Sequence, residues 1–194
     1  VKPENFLFNA GGTIKLADFG IAKLVNAGKS SYTLAGQVVG TPAYMAPEQA
    51  TGGDLSPGTD VYACGAMLYE LLTGDLPFPE TGEVLSQLFL RVTSNPTPIT
   101  SVRDDLPPAI AEVVMTALQK DPADRYLSAH DFGASLAQAA TIAFGPGWLF
   151  RTGVPVLGAP ELVAATERSS GASMVVPSQP DKVRPSATHA KLSE

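Results

Sequence analysis

The chain has 194 residues, of which 44% are hydrophobic and 16% charged, with a net charge of −6. That is enough apolar material for one packed domain with a tail, or for a piece of a larger domain. The acidic balance argues against a nucleic-acid partner, which needs a basic face. The single cysteine, Cys64, cannot close an internal disulfide, and the N-terminus carries no signal-like pattern, so the expected setting is reducing and cytoplasmic.

In chain order, Val1 to Asn9 reads as a turn leading into a short strand at Phe6 to Phe8. Ala10-Gly11-Gly12 is a tight turn, because glycine takes positive φ without a steric penalty. Thr13 to Ala17 alternates apolar and polar residues, as a half-buried strand does. The two strands make a small hairpin with Asn5 and Asp18 near one end, where two ligands of one metal would have to lie. Asn26 to Val39 is small and polar without a period, which predicts a surface loop.

Ser56-Pro57-Gly58-Thr59 announces a helix at about Asp60, with Val61, Cys64, Leu68, Leu71 and Leu72 on one face. Ala63, Gly65, Ala66 and Met67 leave it little polar surface, so it is predicted to be the buried axle of the fold, ending at Gly74. A second helix is predicted from about Glu83 to Val92, followed by an irregular connector at Asn95-Pro96-Thr97-Pro98. A third follows Pro107-Pro108, with Ile110, Val113, Val114, Ala117 and Leu118 inward, and stops before Pro122. A fourth starts at Ser128 with Phe132, Leu136 and Ala139 or Ala140 inward.

From Gly145 onward six prolines replace the apolar period, which predicts a linker or tail in which Trp148-Leu149-Phe150 could dock on the preceding helix. Disorder is expected beyond Ser169. The uncharged run from Phe132 to Phe150 is broken at Gly145-Pro146-Gly147. It is therefore no good membrane span, which needs about 20 predominantly apolar residues.

The informative stretch opens with Asp18-Phe19-Gly20 and closes with Ala46-Pro47-Glu48. Lys2-Pro3-Glu4-Asn5 lies upstream and Gly40-Thr41-Pro42-Ala43-Tyr44-Met45 just before the close. Each short motif alone could be a surface turn. In this order and spacing they resemble the activation segment and catalytic loop of a serine/threonine protein kinase, most like the bacterial membrane-receptor type. The resemblance covers roughly residues 1–140 and begins in the middle of the family's domain.

What the resemblance implies can be assigned residue by residue. Asp18 and Asn5 would hold Mg²⁺ or Mn²⁺, and Lys2 would contact the γ-phosphate of ATP. Leu7 resembles the residue beneath the adenine, a role compatible with an ordinary strand position. Phe19 resembles the switch aromatic of its triplet, with Gly20 completing it. Thr41 resembles the threonine of the substrate-docking loop, and with Lys2 it marks serine/threonine specificity. Glu48 and Arg125, 77 positions apart, resemble the family's buried ion pair, although Arg125 alone would read as a surface arginine. Asp60 would serve the helix dipole and hydrogen-bond the catalytic loop, two roles that coexist. Thr33, and secondarily Ser31 and Ser30, are candidate activating phosphorylation sites. His130, His189 and Cys64 show no metal or thiol pattern.

The expected fold is α+β, mainly helical. It would be a partial kinase C-terminal lobe over residues 1–144, with a small hairpin and a partly disordered tail over 145–194. Partners implied are ATP and Ser/Thr-bearing protein substrates; a dimeric parent protein is compatible with this. The family's glycine-rich loop, anchoring lysine and His-Arg-Asp triplet precede the position of Val1, so the chain alone is expected to be inactive, with exposed apolar surface. The alternatives are a pseudokinase or scaffold that binds partners without catalysis, and a regulatory module in the tail.

Overall fold

The computed structural model describes residues 1–9, 14–17, 42–153 and 160–167. A 3-10 turn at Pro3–Asn5 runs into strand β1 (Phe6–Phe8), which pairs antiparallel with β2 (Ile14–Leu16). Their register sets Phe6 opposite Leu16 and Phe8 opposite Ile14. The rest is helical: α1 (Pro47–Thr51), α2 (Pro57–Thr73), α3 (Val84–Thr93), α4 (Ile99–Val102), α5 (Pro108–Ala117), α6 (Ala129–Phe144), α7 (Trp148–Thr152) and α8 (Pro160–Glu167).

Helix α2 is the centre, packing against α4, α5 and α6 and against the 3-10 turn at Pro42–Tyr44. It begins at Pro57, a residue favoured in the first helical turn, three positions before the expected start at about Asp60. Thr59 Oγ1 accepts from the Ser56 amide at 3.1 Å. The helix stops at Gly74, which takes φ +80° and donates its amide to Glu70 O.

The face of α2 that is most completely buried differs from the expected stripe. Val61 is buried, but so are Tyr62, Ala63, Ala66 and Tyr69, whereas Cys64, Leu68 and Leu72 are half-buried and Leu71 is 79% exposed. A helix apolar on nearly every side does not reveal which side its neighbours cover. Helix α5 follows the sequence pattern: Ile110, Val113, Val114 and Ala117 are buried, as is Leu118 at its end. Helix α6 is capped by Ser128, whose Oγ accepts from the Asp131 amide at 3.1 Å. It buries Phe132, Ala139 and Ala140, with Leu136 half-buried against the core.

The C-terminal region keeps part of the expected docking and adds a helix that the sequence did not reveal. Trp148 packs on the core and its Nε1 donates to Thr141 Oγ1 at 3.2 Å, while Phe150 is 92% exposed and docks on nothing described. Helix α8, which was read as tail, lies against α6, and its Thr166 carbonyl accepts from the Gly147 amide at 2.9 Å. Among the described residues no helix is long and apolar enough to cross a membrane.

Candidate active site

The N-terminal segment bends as its Pro3 requires. Lys2 is extended, the Asn5 amide donates back to Lys2 O at 3.0 Å, and the Phe6 amide closes on Pro3 O. The Asn5 carbonyl then accepts from the Ala17 amide at 2.7 Å, so the hairpin joins Asn5 to the residue that precedes Asp18 in sequence. Phe6 packs on the core, whereas Leu7 is 53% exposed. The Val1 nitrogen lies 3.8 Å from Asp60 Oδ1, which places this turn over the N-terminal end of α2. Asp18, Phe19, Gly20, Ser30, Ser31, Thr33 and Thr41 lie outside the described residues.

Beyond residue 41 the chain is anchored at three points. Tyr44 donates its hydroxyl to Glu70 Oε2 at 2.7 Å. Burial and that carboxylate push the phenol well above its ordinary range, so Tyr44 stays a neutral donor. Arg91 on α3 donates from Nη2 to Ala43 O at 2.9 Å.

The third anchor joins Glu48 and Arg125. Arg125 Nη1 and Nη2 donate to Glu48 Oε1 and Oε2, both at 2.8 Å, in the two-pronged geometry that matches guanidinium to carboxylate. The other Arg125 N–H groups reach Gln119 O, Gly58 O and Lys120 O, so all five donors are used in a side chain with no exposure. Its guanidinium also lies 4.9 Å from the Tyr62 ring centre. Thr59 Oγ1 adds a 2.8 Å bond to Glu48 Oε1. Burial alone would push the Glu48 carboxyl up. The bonds from Arg125, its own backbone and Thr59 outweigh this and hold it below the ordinary glutamate value.

The protein kinase domain family matches residues 1–135. The chain belongs to that family. It is 43% identical over 141 residues to the serine/threonine-protein kinase PknL of Mycobacterium tuberculosis, covering 72% of this chain and 34% of PknL. It is 42% identical over 137 residues to the serine/threonine-protein kinase PknA of Mycobacterium bovis, covering 71% of this chain and 30% of PknA. A probable serine/threonine-protein kinase PknB of Corynebacterium glutamicum is 40% identical over 142 residues, 71% of this chain and 22% of that protein. The chain thus spans between 22% and 34% of the length of these relatives.

Sequence reasoning missed two residues that anchor the Pro42–Tyr44 turn. Glu70 was unmarked on a helix read as apolar, and Arg91 was passed over on α3. In α3 the apolar residues Val84, Leu85, Phe89 and Val92 are exposed, while Arg91 is buried. The available signal was an arginine placed one turn after Gln87, on the side away from Phe89 and Leu85.

Proposed function

We propose that this chain supplies the substrate-binding lobe of a serine/threonine kinase that moves the γ-phosphate of ATP to Ser or Thr of protein substrates. The observation that carries this reading is the anchored loop from Pro42 to Glu48. It is tied to α2 through Tyr44 and Glu70, to α3 through Ala43 and Arg91, and to the segment before α6 through Glu48 and Arg125. A loop held at three points offers an acceptor peptide a fixed edge, and phosphoryl transfer depends mainly on positioning and charge neutralisation.

The donor set suits Mg²⁺, a hard cation that takes oxygen ligands. Asn5 offers an amide oxygen and Asp18 a carboxylate, and the Ala17–Asn5 hydrogen bond joins the two segments that carry them. A bound metal would neutralise phosphate charge. Lys2 is assigned to the γ-phosphate, Thr41 to the acceptor side, Leu7 to the adenine, and Thr33 with Ser31 and Ser30 to activation by phosphorylation. The nucleotide-covering strands, the anchoring lysine and the catalytic aspartate are not among these 194 residues, so the chain on its own transfers no phosphate.

The test is to read the coding sequence upstream of Val1 and to assay phosphate transfer from MgATP with and without that region. Transfer to Ser/Thr by the completed domain, none by the chain alone, and loss in Asp18→Asn is the expected result. A completed domain that binds partners but leaves ATP intact would instead establish the scaffold alternative.

A further inference from the structure

Arg91 is an expensive residue in an unusual seat. Its side chain is 2% exposed, yet among the described residues no carboxylate lies within ion-pair distance of it. Nη1 donates to Gln87 O of its own helix at 2.6 Å and Nη2 to Ala43 O at 2.9 Å. The guanidinium carbon sits 5.4 Å from the ring centre of Phe78, itself buried. Among the described residues Nε has no hydrogen-bond partner, and neither does the hydroxyl of Tyr62. A cation taken out of water without a counter-charge is costly, and an apolar side chain of similar volume would fill the same space without that cost. What an apolar side chain could not do is hold Ala43 O. Across the α3 boundary, this is the hydrogen bond Arg91 adds, and it falls in the middle of the Pro42–Tyr44 turn.

We propose that Arg91 is a positioning residue for acceptor-peptide binding, fixing the Pro42–Tyr44 turn through the Ala43 carbonyl so that α3 sets the edge against which the peptide lies. The proposal rests on the kinase reading given above. Its two parts separate experimentally: the hold on the loop is a property of the chain, and the effect on peptide is a property of the active kinase. Lysine retains the charge but not the fork, so it reaches one carbonyl where arginine reaches two.

Hydrogen exchange on the 194-residue chain reads the first part. In Arg91→Met the Met45, Gln49 and Ala50 amides, which bond to Pro42 O and Ala46 O, exchange at least tenfold faster, while amides of α5 and α6 keep their rates. Arg91→Lys falls between Met and wild type. Steady-state kinetics on the kinase that carries this chain read the second. KM for the acceptor peptide rises roughly tenfold in Arg91→Met with kcat and the KM for ATP within about twofold, because only binding of the peptide is weakened. Uniformly faster exchange throughout the lobe would reduce Arg91 to a structural residue and overturn the proposal. Unchanged exchange at Met45 would overturn it whatever the activity. Faster local exchange with an unchanged peptide KM would remove its link to substrate. If the wild-type kinase transferred no phosphate, the functional reading would fall while the exchange result still decided the hold on the loop.

Discussion

Arg125 has an acceptor for each of its five N–H groups, while Arg91, almost as deeply buried, leaves its Nε unbonded. The first arrangement makes a partner's removal the damaging event. Glu48→Ala or Arg125→Ala alone is expected to cost about 3–5 kcal/mol, because the remaining charge stays buried and unpaired. Replacing both by methionine is expected to cost less than either single change, which urea titration of the four proteins would show. Acidification acts on the same pair. A carboxyl whose folded value lies below its ordinary 4.5 contributes stability that is complete above that value and is lost as pH falls through the folded value. The gap between wild type and Glu48→Gln should therefore narrow as pH falls below 4.5, and a gap independent of pH would contradict the assigned cause.

At the scale of elements, α2 and α5 approach closely at a glycine. A Cβ added at Gly65 would lie 2.7 Å from Ala117 Cβ and 3.5 Å from the Ala117 carbonyl carbon, leaving the two backbones no room to keep their approach. Glycine inside a helix costs about 0.5–1 kcal/mol relative to alanine, so its presence here is explained by this contact. Gly65→Ala is expected to destabilise by about 1–3 kcal/mol, as overpacking does. At Gly82 an added Cβ meets nothing within 4 Å, so Gly82→Ala should leave the midpoint nearly unchanged. Thermal denaturation of the two variants side by side checks the contrast.

The elements also show what the sequence could and could not reveal. Helices α2, α3, α5 and α6 and the hairpin were legible because their periods, prolines and caps lie within a few residues of one another. The orientation of α2 and α3 was not, since it depends on neighbours far along the chain. In α3 periodicity even points the wrong way, with Leu85 and Phe89 outward and Arg91 inward. The short α1 and α4, of 5 and 4 residues, carry no period to read. Helix α8 was hidden by proline-rich surroundings, in which Pro160 turns out to occupy the first helical position. At the site, Glu48 and Arg125 could be paired only through the family resemblance, because nothing local links positions 77 apart.

For the molecule as a whole, two boundaries matter. Leu7, Ile14, Leu16 and Leu71 expose much of their surface on the hairpin and α2, apolar area of the kind that invites a covering partner. Under the kinase reading proposed above, the chain alone should bind a hydrophobic dye and self-associate, and the whole kinase domain should do neither. At the other end, the family match stops at residue 135, inside α6, while the packed structure continues through α8. Deleting residues 145–194 should lower the unfolding midpoint by several degrees, because α6 loses the cover of Trp148 and α8. Deleting 168–194 alone is the comparison that isolates α7 and α8. Equal midpoints for the two truncations would show that α7 and α8 add nothing to the lobe.

Trp148 is the single tryptophan of the chain. Its indole sits where α7 meets α6, bonded to Thr141 and tilted against Phe144 with ring centres 6.4 Å apart. Indole emission shifts to longer wavelength as water reaches the ring, so the chain carries its own optical probe at one location. A red shift that comes at lower denaturant than the loss of helical circular dichroism would report α7 and α8 peeling from the lobe while its core stays folded. Coincident transitions would mean that the lobe and its C-terminal helices melt as one cooperative body.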